Sequence, residues 1–361
     1  MALDGWKEKL FRRYLYWLCR PTRLRRRLAS LIDEGGPVPV SVPLVDGSRL
    51  RVAALQVKVK LSRDPLHYAA EVHRRVRQAS SEGAQLVVFP EYNNLPLLGM
   101  LPGVEEMSKN VSDEGAGGER DGRREGSPAT DVTVADVIHY IGPVVSPFLD
   151  ALYSALAAAY RLHLMAGSFL LADGDRVVNR AFLYGPDGRL IGTQDKVHLM
   201  PIEMDWGLSA GAEFRLFETG IGRVAAPVCM DATFYETFRI LELMEAEVVM
   251  IPIANPEPYN YWLALRGIWP RVQECPIYGV KSALVGNVLG FAFTGRAGVF
   301  APAELTPDGS GVLAEVASAE EEGIALAEVD LDALQEFRRN HPWRDSNPRL
   351  YARYFPSAYQ T

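Results

Sequence analysis

Residues 85–91 read Gln85-Leu86-Val87-Val88-Phe89-Pro90-Glu91. An apolar run this short, rich in β-branched and aromatic side chains and closed by proline, predicts a strand buried in a sheet. It ends on a carboxylate, Glu91. Working outward, residues 65–82 have the spacing of an amphipathic helix and residues 50–59 read as another strand. Helical periodicity returns at 144–160, followed by a strand near 163–170. Two strands joined by Gly185-Pro186-Asp187-Gly188 predict a hairpin over 177–194. A strand at 224–228 leads into a helix at 233–245, and 248–253 is a further buried strand. Residues 259–273 look helical despite Pro270, 277–286 look extended, strands flank the turn at 306–309, and 331–339 form a helix. Alternating strands and helices with hairpins among them predict an α/β fold whose mixed β-sheets carry helices on their outer faces.

The chain has 361 residues, 48% hydrophobic and 23% charged, which suits a large globular core and excludes disorder for most of its length. Three cysteines argue against a disulfide framework and for a reducing, cytoplasmic setting. No unbroken apolar run reaches the roughly 18 residues of a membrane span. Six histidines without metal-ligand spacing leave no candidate metal site, and no phosphate-binding glycine loop calls for a nucleotide cofactor.

Charge is uneven. Residues 1–30 hold nine Lys/Arg against two acids, a net +7, which leaves 29 against 43, or −14, on the remainder. An acidic body argues against nucleic-acid binding. Residues 1–47 form a basic, amphipathic helical extension, with Trp6, Leu10, Tyr14, Trp17 and Leu18 at helical spacing, an interruption at Pro21, and Leu24, Leu28 and Leu31 resuming the pattern. Two readings stand. The commoner use of such a helix is to dock its stripe on the body or on a second subunit. The alternative is peripheral membrane contact through residues 6–28, with tryptophan and tyrosine at headgroup depth. Residues 101–135, with Gly-Ala-Gly-Gly at 115–118 and mixed charges, predict a mobile insertion placed to act as a lid, and residues 336–361 a tail without periodicity.

Three reactive groups share one setting: Glu91, Lys196 after the strand near 190–193, and Cys229 after Val224-Ala225-Ala226-Pro227-Val228. Each ends a buried strand, where α/β folds place their sites. A cysteine at a strand-to-helix turn beside an ammonium favours thiolate. A buried carboxylate can move the thiol proton to a departing amine and later activate water. The lysine and the backbone N–H of Met230 can hold an oxyanion. Equally, a glutamate after a strand is often only solvated, and a lone cysteine only a small core residue.

The surrounding phrases Phe89-Pro90-Glu91, Asp195-Lys196-Val197-His198-Leu199-Met200-Pro201 and Pro227-Val228-Cys229-Met230-Asp231-Ala232 resemble, in order, the three motifs of the nitrilase superfamily, the carbon–nitrogen hydrolases. The resemblance extends over about 48–335. It implies an αββα sandwich, with Glu91 as general base, Lys196 as oxyanion stabiliser and Cys229 as nucleophile. It also implies a second glutamate after the lysine, for which Glu203 is the candidate and Asp205 its rival. Trp206 is a candidate for the acyl pocket or a core residue. His198 orients its motif by hydrogen bonding or, alternatively, pairs with Cys229. Cys19 and Cys275 read as structural. True nitrilases of the superfamily continue Cys-Trp-Glu, so Cys229-Met230-Asp231 favours a small amide or N-carbamoyl substrate. Nitrile hydrolysis, acyl transfer to an amine and a non-catalytic assembly scaffold are the alternatives. The resemblance further implies at least a homodimer.

Overall fold

The structure is a computed structural model that describes residues 5–35, 48–106, 108, 133–340 and 347–359. Thirteen strands make up its sheet: β1 (Arg49–Lys58), β2 (Leu86–Val88), β3 (His163–Asp173), β4 (Arg176–Tyr184), β5 (Leu190–Asp195), β6 (Phe217–Thr219), β7 (Gly222–Ala225), β8 (Val248–Ile253), β9 (Tyr278–Val288), β10 (Phe291–Phe293), β11 (Gly298–Phe300), β12 (Val312–Glu315) and β13 (Gly323–Asp330). β1 runs parallel to β2 at Val52–Ala54 and to β9 at Gln56–Lys58, and antiparallel to β13 along its length. One half of the sheet is therefore β5-β4-β3-β2-β1-β13 and the other β6-β7-β8-β9-β11-β12, joined where β1 meets β9.

Alternation along β1 builds the layers. Ala53, Leu55 and Val57 join the core shared with helices Pro65–Ser81 and Val134–Tyr160. Leu50, Val52 and Ala54 join the core that β8, β9 and β11 supply from the second half. The result is the αββα sandwich that the family resemblance implies.

Local chemistry sets the helix ends. Asp64 caps the first of these helices, accepting from the Leu66 N–H at 2.9 Å with Pro65 at the opening position. The second begins at a Thr133–Asp136 capping box, ten residues earlier than the periodicity predicts. Gly142 and Pro143 look like a break, but buried Ile138, Ile141, Val144 and Val145 continue the stripe across them. By length and composition this 27-residue helix is apolar enough to cross a membrane, contrary to the sequence expectation. Its prolines, serines and Asp150 interrupt every run without removing the apolar face, and that face packs on β3 and β4 as a core helix does. The expected 259–273 helix is two, Tyr261–Arg266 and Trp269–Glu274, because Pro270 lacks the N–H needed to continue and instead sits in a first turn.

Helices Gly5–Leu18 and Pro21–Glu34 flank the predicted interruption. Leu15, Leu18, Leu24 and Leu28 bury themselves in the main core, so this part of the extension docks on the body. Trp6, Leu10, Tyr14 and Trp17 of the predicted stripe remain exposed. Most of the expected insertion, residue 107 and residues 109–132, lies outside the described residues, and Thr133–Ala135 belong to the long helix.

Helix Leu331–Asn340 crosses the domain edge expected at 335, tied down by buried Arg338, whose Nε donates to the Pro276 carbonyl at 2.8 Å. The tail beyond is helical at Pro348–Tyr359, where the sequence reading finds no periodicity. Tyr351 stacks on Phe355 and Phe355 meets Tyr359 edge-on, at i, i+4 spacing despite Pro356, and the Tyr359 hydroxyl donates to Glu236.

Candidate active site

Glu91 lies just beyond β2, Lys196 directly after β5, and Cys229 beyond β7 at the head of a single 3₁₀ turn, Cys229–Thr233. The helix expected there starts only at Tyr235. These strand ends converge. Lys196 Nζ lies 2.9 Å from Glu91 Oε1 and 2.7 Å from Glu203 Oε2, and all three side chains are 0% exposed. Asp205, the rival to Glu203, is exposed.

The two carboxylates share one amide donor as well as the ammonium. Asn179 Nδ2 donates to Glu91 Oε1 at 2.8 Å and to Glu203 Oε1 at 3.1 Å. Glu203 also accepts from the Tyr92 hydroxyl and, at 2.8 Å, from the Met200 N–H, which fixes the short helix Pro201–Asp205. The Lys196 N–H donates to the Asn179 carbonyl at 2.8 Å. Glu91 Oε2 has no hydrogen-bond partner among the described residues, and Glu91 and Cys229 shift each other's acidity.

Charge and burial set the protonation states. Burial pushes the Glu91 carboxyl up, Lys196 opposing and Glu203 adding to the push. For Lys196 burial works against the ammonium, but Glu91, Cys229 and Glu203 outweigh it and hold the group well above its usual range. The Cys229 thiol is pushed well up, first by burial and then by the charge on Glu91, with Lys196 opposing. This reverses the sequence expectation of a favoured thiolate. The ammonium is already matched by two carboxylates and has little charge left to offer sulfur.

Backbone strain marks the same place. Cys229 has φ +47° and Tyr92 φ +53°, both in the left-handed region that side chains other than glycine seldom occupy. Asp231, fully buried, holds the Cys229 turn. It accepts from the N–H groups of Val228 at 2.8 Å, His198 at 2.7 Å and Val197 at 3.2 Å, and lies 2.9 Å from His198 Nδ1. One carboxylate thus ties the lysine loop to the cysteine loop. His198 is engaged here and stacks on Phe234 at 4.1 Å, so it orients the motif and does not pair with Cys229. Gly167, φ +79°, lets β3 approach the Pro90 carbonyl so closely that a Cβ would collide with it. Asp231→Ala strands three backbone donors, and is expected to cost about 2–4 kcal/mol of stability and to lower turnover with it. Thermal melts and rates on one preparation check this, and an unchanged melting temperature would contradict it.

Cys229 opens onto a cavity of about 140 Å³, lined also by Met230, Asn255, Tyr259, Lys281 and Thr294. Its volume is on the scale of the ~150 Å³ that accommodates a benzene-sized molecule. Cys229 Sγ lies 3.8 Å from Asn255 Oδ1. Trp206 does not line this cavity. It packs on Tyr92 at 6.3 Å and edge-on to Phe291 at 5.7 Å, one layer behind Glu203. Cys19 and Cys275 are buried elsewhere, and burial pushes the Cys19 thiol up to about 12. Asn179, Tyr92 and Lys281 were not singled out from the sequence. A lone Asn179 inside the apolar run of β4 is the one signal that was available.

A thiol lining a small cavity, electrostatically linked to a buried carboxylate–ammonium pair, has the groups that acyl transfer requires. Comparison with known proteins agrees. The carbon–nitrogen hydrolase family model matches residues 51–339. The probable hydrolase YhcX of Bacillus subtilis is 26% identical over 306 residues, covering 83% of this chain and 53% of that protein, so the chain spans about half of that relative's length. A nitrilase of Pyrococcus abyssi is 27% identical over 293 residues, covering 81% of this chain and 94% of that one. In structure, a mutant of the nitrilase-superfamily amidase from Nesterenkonia AN1 superposes with TM-score 0.56 at 22% identity, covering 81% and 97% of the two chains. That likeness shows the shared αββα fold, and the family match identifies the protein: the chain belongs to the carbon–nitrogen hydrolase family.

Proposed function

We propose that the protein hydrolyses the carbon–nitrogen bond of a small amide or N-carbamoyl compound through a thioester on Cys229. The observation that carries this is the buried cluster in which the Lys196 ammonium bridges Glu91 and Glu203 while Glu91 bears on the thiol. Because the thiol is held protonated, the base is needed at the moment of attack. Glu91 takes the proton as sulfur adds to the carbonyl carbon, and the oxyanion is received by the Lys196 ammonium and the Met230 N–H. Glu91 then passes the proton to the leaving nitrogen and the C–N bond breaks. Water, deprotonated by Glu91, attacks the thioester, and the thiol departs with the proton. Glu203 acts through Lys196, as a positioning residue.

Of the proteins named above, the Nesterenkonia amidase supports this reading, whereas the Pyrococcus relative is a nitrilase. In another mutant of the Nesterenkonia amidase the acetamide moiety of fluoroacetamide is added covalently at the active site cysteine. Met230 and Asp231 follow the nucleophile here in place of the Trp-Glu of true nitrilases, which favours amide over nitrile. A panel of short amides, N-carbamoyl amino acids and nitriles scored by ammonia release tests the proposal, with added hydroxylamine to report acyl transfer. Turnover of amides or carbamoyl compounds is expected. Turnover of nitriles alone would overturn the assignment.

A further inference from the structure

Helix Gly5–Leu18 carries two faces of different chemistry. Phe11, Leu15 and Leu18, at i, i+4 and i+7, turn inward onto the main core. On the far side Trp6, Leu10, Arg13 and Trp17 recur at i, i+4, i+7 and i+11. There Trp6 is 66%, Leu10 60% and Trp17 47% exposed. Single exposed apolar residues are ordinary, whereas a row of them along one helix face marks a contact surface. The outward rings are held in place. Trp17 stacks with Tyr14 at 6.1 Å and lies 3.9 Å from the Arg23 guanidinium, which also donates to the Leu18 carbonyl at 3.2 Å.

Cations surround this row. Lys9, Arg12, Arg13, Arg20, Arg25 and Arg26 are exposed and form no ion pair with a described carboxylate. Residues 5–34 together hold nine Lys/Arg against Glu8, Asp33 and Glu34, a net +6. Two of those acids close the far end of helix Pro21–Glu34, where Glu34 faces Arg27 at 3.7 Å, and Glu8 bears on Tyr140 of the long helix. A symmetric contact between two copies of this face would set Arg13 against Arg13 and cations against cations. A nucleic acid would answer the cations, leave Leu10 stranded, and meet an otherwise acidic chain. The boundary of an anionic bilayer answers both chemistries, since indole rings settle at headgroup depth while arginine and lysine reach the lipid phosphates. We propose that helix Gly5–Leu18 docks the protein on a bilayer that carries anionic lipid. The helix lies flat, with Trp6, Leu10 and Trp17 in the headgroup region and Arg13 among the phosphates. Leu15, Leu18, Leu24 and Leu28 hold the catalytic body to it.

The test needs no substrate. The full chain is sedimented with phosphatidylcholine vesicles, with and without phosphatidylglycerol, as wild type, as Trp6→Ser/Trp17→Ser and as Lys9→Gln/Arg13→Gln. Wild type is expected to partition onto the anionic vesicles at least about tenfold more strongly than onto the neutral ones, and to be released as salt rises. Lys9→Gln/Arg13→Gln should weaken that partition by about tenfold or more, each cation near the surface counting for roughly fivefold. Trp6→Ser/Trp17→Ser should weaken it by about as much, through lost apolar burial. These side chains are exposed, so melting temperatures should hold, and Trp6→Ser alone serves if removing Trp17 from Arg23 loosens the two helices. A wild type that ignores anionic vesicles, or binds neutral ones equally well, overturns the proposal. So does binding that is undiminished in either double variant. A second copy covering this face would show as a lower oligomeric mass in Trp6→Ser/Trp17→Ser with no vesicle binding by wild type, and that also overturns it.

Discussion

Replacing Cys229 by alanine is expected to lower turnover by at least about 10⁴-fold while shifting stability by no more than about 1 kcal/mol. The asymmetry follows from what the side chain does. Its sulfur fills little volume, its strained φ is held by Asp231 and not by its own contacts, and alanine bears the same strain. No other thiol can substitute. Cys19 packs against Met100 under the N-terminal helices, and Cys275 ends helix Trp269–Glu274, both buried. Ammonia release and thermal melts on the same preparation decide the matter. A folded Cys229→Ala enzyme with appreciable activity would place the nucleophile elsewhere.

Lys196→Met has the next largest expected effect, on two observables. Turnover should fall about a hundredfold or more, because the oxyanion loses its charged partner. Stability should fall by about 3–5 kcal/mol, because Glu91 and Glu203 are then left facing one another in a buried site with only Asn179 between them. Two like charges there raise the affinity of one carboxyl for a proton. The folded variant then binds more protons than its unfolded chain, so its stability falls as pH rises and recovers as pH falls through the raised value. Melting temperatures of wild type and variant should therefore converge on going from pH 7 toward acid. A small, pH-independent difference would show that the ammonium does not neutralise this cluster.

How much of this could be read from the residues depends on the distance over which each property is set. Glu91, Lys196 and Cys229 are legible because each follows a strand closely, and strand ends are local features. Glu203 follows from the motif after Lys196, eight residues past the end of β5 and within one turn of Met200. What escapes is decided by partners far apart in the chain. The direction in which the Cys229 thiol is shifted depends on Glu91, 138 residues earlier, and on a lysine already claimed by two carboxylates. Asp231 is visible beside the nucleophile, yet its work is to join two loops more than thirty residues apart. Trp206 sits in the right phrase but turns toward Tyr92 and Phe291, away from the cavity. Lys281 looks like any charged residue in a strand until β8, β9 and β11 enclose it. The long helix and the C-terminal helix were misjudged for one reason. Pro143 and Pro356 look like breaks, whereas the apolar and aromatic faces around them carry the helix through.

The central claim is that Glu91 and Cys229 act as one charge-linked unit, in which the carboxylate both suppresses the free thiolate and removes the thiol proton during attack. The most direct test follows alkylation of Cys229 by iodoacetamide against pH, by peptide mass, in wild type and Glu91→Gln, alongside amide turnover. Wild-type Cys229 is expected to titrate above the unperturbed cysteine value of about 8.5. Glu91→Gln removes the negative charge that raises the thiol, so its midpoint should move to lower pH even as turnover is lost. A midpoint that stays put, or a Glu91→Gln enzyme that still turns over amide at the wild-type rate, would contradict the account.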